Sequence, residues 1–268
     1  MGTIARTELR ELLAAAIEAA VEAGALLRTG FGRASVVERK EGHHNVVTEY
    51  DRQAEFLIVE RLRQRFPQSY FWAEESGRSG TESADSVCWL VDPLDGTVNF
   101  AHGIPIFCVS IAAVWNEEIL CGVIYQPLLG ELFTAVRGEG AWLNGQRLRV
   151  SETSALEEAI LVTGFPYNVA ENPGNCMEHF LRFLRLGIPV RRLGSAALDL
   201  AYVAAGRFDG FWEIALNPWD VAAGVLMVQE AGGRVTHYDN TVYRLHLRSS
   251  IVASNGQLHE QLLAILQA

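Results

Sequence analysis

The sequence predicts an α+β fold. Strand-like apolar runs crowd the first half, helices and strands alternate in the second, and helical spacing opens the chain. Leu9, Leu12, Leu13, Ala16, Ile17, Ala20, Val21 and Gly24 recur at three- and four-residue intervals, so the first element is a long amphipathic helix. A strand near Ser35 to Arg39 follows, then a polar loop through His43-His44-Asn45 and an amphipathic helix from Asp51 to Phe66. Strands are expected near Tyr70, near Val87, and over Cys108 to Trp115, Ile119 to Tyr125 and Glu131 to Val136. Turns at Asn116-Glu117 and Leu129-Gly130 make the last three an antiparallel meander. After Ile160 to Thr163 come helix (about Asn175 to Leu186), strand, helix (Ala196 to Ala205), strand and helix. A strand at Ser250 to Ser254 and a helix capped by Asn255 complete the chain.

At 268 residues the chain can bury a substantial core. No Ser/Gly/Pro-rich linker, low-complexity tract or repeat divides it, so residues 1–268 are expected to form a single domain. The net charge of −10 argues against direct nucleic-acid binding and against anionic membranes. Cys88, Cys108, Cys121 and Cys176 show no paired metal-ligand spacing. No apolar segment is long enough to span a bilayer, and the N-terminus, with Arg6, Glu8, Arg10 and Glu11, lacks a signal-peptide pattern. A cytoplasmic location is expected.

The chemistry concentrates in Asp92-Pro93-Leu94-Asp95-Gly96-Thr97, at the end of the apolar run from Val87 to Val91. Two aspartates three residues apart, with no basic neighbour in sequence, repel each other unless a cation lies between them. A polar cluster straight after a buried strand is where a sheet presents chemistry, and Gly96 suits a turn that must tighten or approach a ligand. The economical reading is a divalent metal site that also holds a phosphate. Further acids stand in similar settings. Glu74-Glu75 follows the run Tyr70-Phe71-Trp72, while Asp51 and Asp220 open helices, where the helix dipole alone suits an acid. Hard oxygen donors without Cys or His favour Mg²⁺ or Mn²⁺ over Zn²⁺.

With these residues the sequence resembles the inositol monophosphatase family of metal-dependent phosphatases. The first signature is Trp89-Leu90-Val91-Asp92-Pro93-Leu94-Asp95-Gly96-Thr97-Val98-Asn99-Phe100. The second is Trp219-Asp220-Val221-Ala222-Ala223-Gly224 with Glu230-Ala231-Gly232-Gly233 after it. Val47-Thr48-Glu49-Tyr50-Asp51, Glu74-Glu75-Ser76 and Gly194-Ser195-Ala196-Ala197-Leu198-Asp199-Leu200 extend the match over essentially the whole chain. The resemblance implies a layered α-β-α-β-α sandwich, usually a homodimer, that hydrolyses a small-molecule phosphate monoester.

It also implies roles. One Mg²⁺ would be held by Glu74, Asp92 and the backbone carbonyl of Leu94, and a second by Asp92, Asp95 and Asp220, with a third, looser ion near Glu74 in some relatives. Such ions lower the pKa of a bound water and neutralise the attacked and leaving oxygens. Thr97 would activate the attacking water, with Asp51 accepting its proton; Glu74 acts with them in catalysis. Backbone N–H groups of Gly96 and Thr97 would face the phosphate. Ser195 is a plausible helix cap, the Ala196 amide would face the substrate hydroxyl side, and Glu213 would accept from a polyol. Lys40 belongs to a loop that in relatives helps close the site. Tyr167 and Asn168 border the pocket in this reading. Phe165-Pro166 and Val98 depart from the commoner family pattern and leave the substrate open. Inositol 1-phosphate or a related sugar phosphate comes first; fructose 1,6-bisphosphate and nucleotide phosphates such as 3'-phosphoadenosine 5'-phosphate are alternatives. A regulatory partner of transcription machinery is the non-enzymatic alternative.

Overall fold

The computed structural model describes residues 5–33, 36–39, 46–83 and 86–268. Lys40, His43 and His44 lie outside the described residues. Two sheets and three helical layers stack in the order helix, sheet, helix, sheet, helix, as the family resemblance implies.

The larger sheet has eight strands: β3 (Tyr70–Ala73), β4 (Gly77–Ser79), β5 (Cys88–Asp95), β6 (Cys108–Trp115), β7 (Glu118–Gln126), β8 (Glu131–Val136), β9 (Gly140–Leu143) and β10 (Gln146–Arg147). Their spatial order is β10-β9-β8-β7-β6-β5-β3-β4, with β3 and β5 parallel and every other neighbour antiparallel. The expected meander is β6 to β8. On one face lie α1 (Arg6–Gly30) and α2 (Glu49–Arg65); on the other lie α5 (Ala196–Ala204) and α6 (Pro218–Glu230). Coverage of both faces explains the continuous apolar strands, which lack the polar alternation of a half-solvated sheet. Trp89 and Val91 point to the α1–α2 core, whereas Cys88 and Leu90 point to the α5–α6 core.

The smaller sheet, β11 (Leu161–Thr163), β12 (Val190–Arg191), β13 (Gly210–Leu216), β14 (Arg234–Thr236) and β15 (Ser249–Ser254), runs in the order β12-β11-β13-β15-β14. It packs α5 and α6 on its inner face, so these two helices are buried almost all round. Its outer face carries α4 (Cys176–Arg185) and α7 (His259–Leu266) over Phe183, Trp212 and Leu262. A two-stranded ribbon, β1 (Val36–Arg39) and β2 (Val46–Thr48), leads into α2, and the short α3 (Thr97–Ala101) follows β5.

Asn255 does not cap the last helix directly. Its Oδ1 accepts from the Leu258 N–H at 3.1 Å, closing a turn before α7 begins at His259. His259 is fully buried, its Nε2 2.9 Å from Thr236 Oγ1 and its Nδ1 2.9 Å from Ser254 Oγ. Burial pushes its pKa down to about 4. The unfolded chain therefore binds this proton first, and the contribution of neutral His259 to stability declines as pH falls from the ordinary imidazole value of 6.5 through about 4. Thermal melts at pH 7 and pH 5 are expected to differ less in His259→Gln than in the parent.

Candidate active site

The larger sheet places Asp92 and Asp95 on one face by an irregularity. Residues three apart on a regular strand point to opposite faces. Here Asp92 pairs with Ser110 and Asp95 with Cys108, so β5 holds one extra residue at Pro93-Leu94. That bulge turns both carboxylates toward α5 and α6, and sends the Leu94 side chain into the α1–α2 core. Pro93 fits there because the bulge asks no ladder hydrogen bond of it. Leu94 N–H donates to Asp92 Oδ1 at 3.1 Å.

The chain then reverses through Gly96, at φ 96°. A Cβ at this position would lie 2.9 Å from the Ile106 carbonyl oxygen, so only glycine fits. Asn99 fixes the turn against the neighbouring loop by donating through Nδ2 to Ile106 O at 2.8 Å and Leu193 O at 2.9 Å. α3 spans five residues, too few for a helix dipole of consequence, so an anion at this turn would meet only the Gly96 and Thr97 N–H groups.

Glu74 arrives from the parallel neighbour. Ala73 pairs with Val91, and Glu74 N–H donates to Val91 O at 3.0 Å, which brings Glu74 level with Asp92 at the carboxyl ends of both strands. The loop is held from behind by Glu55 of α2, which accepts from Glu75 N–H at 2.7 Å and Ser76 N–H at 2.8 Å. Glu55 was not singled out in the sequence. Its only signal there is its place one helical turn after Asp51.

Asp51 and Asp220 combine helix capping with a place in the site. Each stands third in its helix and closes a capping box. Asp51 Oδ2 accepts from Thr48 N–H at 2.8 Å, while its Oδ1 accepts from Thr97 Oγ1 at 2.8 Å. Asp220 Oδ2 accepts from Asn217 N–H at 2.7 Å. Both acids thus stand in the first helical turn, where the dipole explanation puts them, and Asp51 also bonds the Thr97 hydroxyl. Thr97 Oγ1 also lies 2.9 Å from the Leu94 carbonyl oxygen.

Ser195 stands at the cap position of α5 but does not cap it. Its hydroxyl donates to Asp95 Oδ2 at 2.7 Å, and the same oxygen accepts from Ala197 N–H at 2.7 Å. Asp95, from the other side of the site, satisfies the helix end. The Ala196 N–H, expected toward substrate, is likewise turned on Asp95. Glu213, on β13, is buried beside Gly164, where a Cβ would come within 2.1 Å of Glu213 Oε2. Tyr167 borders the site: the residue is half exposed, yet its hydroxyl end is desolvated, and that together with the fields of Glu74, Asp95, Asp220 and Asp92 raises its pKa. Asn168 turns away and donates to Glu171.

The electrostatics are those of a crowded anionic pocket. Burial, then the fields of Glu74, Asp95 and Asp220, hold Asp92 well above the usual carboxylate range. Asp220 is raised by burial and by Glu74 and Asp95. Burial pushes Asp95 and Asp51 up to about 6, against the lowering effect of their hydrogen bonds. Carboxylates that repel one another in a dry site are a demand for cations, and an all-oxygen donor set suits a hard divalent ion. Among the described residues, no group of three such side chains already stands arranged around one point to hold an ion. What the fold supplies is proximity and a shared field.

Layered sheets with carboxylates gathered at the end of a central strand suit a metal-dependent hydrolase, and comparison with known proteins gives the class. The family model described as the inositol monophosphatase family matches residues 8–268. An inositol-1-monophosphatase of Synechocystis sp. is 42% identical over 98% of this chain and 91% of its own. The Nus factor SuhB of Pseudomonas aeruginosa is 44% identical over 97% of each chain. The solved inositol monophosphatase of Anabaena (Nostoc) sp. superposes with a TM-score of 0.85 at 42% identity, covering 97% of this chain and 96% of that one. This chain belongs to the inositol monophosphatase family and is a phosphatase of that superfamily.

Proposed function

We propose that the chain is a Mg²⁺-dependent phosphomonoesterase that converts inositol 1-phosphate, or a closely related polyol phosphate, to the alcohol and inorganic phosphate. The observation that carries this reading is the convergence of Glu74, Asp92, Asp95 and Asp220 in one field beside a Thr97 hydroxyl bonded to Asp51. Glu74, Asp92, Asp95, Asp220 and the Leu94 carbonyl are the groups that would hold two or three divalent ions, Mg²⁺ first and Mn²⁺ as a substitute. Bound there, such ions supply positive charge for the phosphate and lower the pKa of a coordinated water.

The chain's own residues account for the rest. Thr97 Oγ1 lies 2.8 Å from Asp51 Oδ1 and 2.9 Å from the Leu94 carbonyl oxygen, and with its proton given to Asp51 its lone pairs are free for a proton taken from the attacking water. Asp51 is fixed for that task by Thr48, and Thr97 by the Gly96 turn. On the alcohol side, Glu213 would accept from a polyol hydroxyl, with the Ala196 N–H beside Asp95 as a further donor in reach of the substrate. Phosphate release from inositol 1-phosphate with Mg²⁺ tests the reading. Release that stops in EDTA supports it; release that continues in chelator overturns the metal role, and none in Mg²⁺ overturns the substrate.

The protein acts in this reading as one cytoplasmic domain. Among the described residues no helix is long and apolar enough to cross a membrane. It pairs with a second copy through the outer face of α4, where Met177, Leu181 and Leu184 form an exposed stripe continued by Leu186. Sedimentation velocity is expected to give a dimer for the parent and a monomer for Leu181→Glu.

A further inference from the structure

Glu55 is a buried acid that stands outside both the proton relay and the set of groups that would hold the cations. It lies one helical turn after Asp51 on the inner face of α2, 4% exposed, beside Ala54, Ile58 and Leu62 of the α1–α2 core. An acid in such company destabilises the fold unless its oxygens are bonded. Both are: Oε2 accepts from Glu75 N–H at 2.7 Å and Oε1 from Ser76 N–H at 2.8 Å.

The segment it grips is the β3–β4 turn. Ala73 pairs with Gly77, which leaves Glu74, Glu75 and Ser76 as a three-residue hairpin loop. β4 is the edge of the larger sheet, so no strand lies beyond it to hold the loop. Each of the three loop N–H groups donates outside the hairpin: Glu74 to Val91 O at 3.0 Å, the other two to Glu55. The tip is open to solvent, with Ser76 exposed and Glu74 and Glu75 half-buried, so water could serve these groups. A buried carboxylate committed to two of them fixes a position. That position matters because Glu74 is pressed outward. After burial, its field is the foremost influence on both Asp92 and Asp220, and like charges repel. On an edge hairpin without an anchor, Glu74 would relieve that repulsion by swinging toward water.

We propose that Glu55 is a positioning residue for Glu74: by clamping the Glu75 and Ser76 N–H groups to α2, it holds Glu74 level with Asp92 before a cation binds, and so raises the affinity for Mg²⁺. The inference rests on the reading of Glu74 as a cation ligand. α2 then carries two parts of the site on one face, Asp51 bonded to Thr97 and Glu55, one turn on, bonded to the Glu74 loop.

The test is calorimetric titration of Mg²⁺ into Glu55→Gln, which keeps the size and one accepting oxygen but sets an amide group against the second N–H. Its Kd for Mg²⁺ is expected to rise about tenfold, the lower end of the cost of losing an outer support of a metal ligand. With inositol 1-phosphate, kcat at saturating Mg²⁺ should stay within about threefold of the parent, because the ligands themselves are intact. Glu230→Gln is the matched control. Glu230, at the end of α6, accepts from Gly138 N–H at 2.7 Å and Gly140 N–H at 2.8 Å, and so clamps a turn that holds no acid of the site. Both variants should melt lower by roughly 3–10 °C in chelator, the scale of one hydrogen bond to a charged group, but Glu230→Gln should keep the parent's Kd. Adding Glu55→Gln to Glu74→Gln should weaken Mg²⁺ binding little further. An unchanged Kd in Glu55→Gln, an equal rise in Glu230→Gln, or additive losses in the double variant would each overturn the proposal. Hydrogen exchange tests it on the parent alone. Glu75 and Ser76 amides already protected in EDTA, with no gain from Mg²⁺, support a preset loop; protection that appears only with Mg²⁺ overturns it. A parent that binds no Mg²⁺ overturns the reading of Glu74 as a ligand, and the inference with it.

Discussion

Asp92→Asn is expected to lower turnover of inositol 1-phosphate by roughly 10³-fold or more, the scale of removing a group that stabilises transition-state charge. Asp92 is almost fully enclosed and feels the fields of Glu74, Asp95 and Asp220 together. The amide keeps the volume, and its carbonyl can still accept from the Leu94 N–H. It removes one negative charge from the place where the others converge. The same change should not weaken the fold. In chelator the melting temperature is expected to hold or to rise by roughly 2–4 °C, for about 1 kcal/mol of relieved repulsion. Loss of turnover with a level or higher Tm, read by phosphate release and calorimetry, separates a working group from a structural one. A turnover within tenfold of the parent would remove Asp92 from the mechanism.

The second large effect belongs to the Thr97–Asp51 pair. Thr97→Val keeps the branched shape at a position 9% exposed and deletes the hydroxyl that links Asp51 Oδ1 to the site. A fall in kcat of about 10²–10⁴-fold is expected, the range of positioned acid–base catalysis, with KM changed by no more than about threefold. Asp51→Asn should match it, because the amide can serve the Thr48 cap through its oxygen but cannot take a proton from Thr97. If the two residues form one relay, Thr97→Val combined with Asp51→Asn loses little more than the worse single variant. Additive losses would mean that each acts alone.

Much of this arrangement was legible in the chain. An aspartate pair at the end of a run as apolar as Cys88 to Val91 has no reason to be there except chemistry, and the meander of β6 to β8 follows from apolar runs separated by turn residues. What remained hidden depends on tertiary partners. The bulge at Pro93-Leu94 decides which way Asp95 points, and strand periodicity alone gives the opposite face. Ser195 reads as a helix cap, yet its hydroxyl serves Asp95, a residue 100 positions away. Glu55 reads as one more acid on an amphipathic helix and is instead the support of the Glu74 loop. In each case the residue type was visible and its partner was not.

The central claim is that the clustered acids hold a divalent cation on which phosphate release depends. Calorimetric titration of Mg²⁺ into the parent and into Asp92→Asn tests it most directly. Saturable binding to the parent that is lost in the variant, alongside phosphate release that rises over the same Mg²⁺ range, is the predicted result. Equal binding to both proteins, or turnover at full rate before any Mg²⁺ is bound, would contradict it.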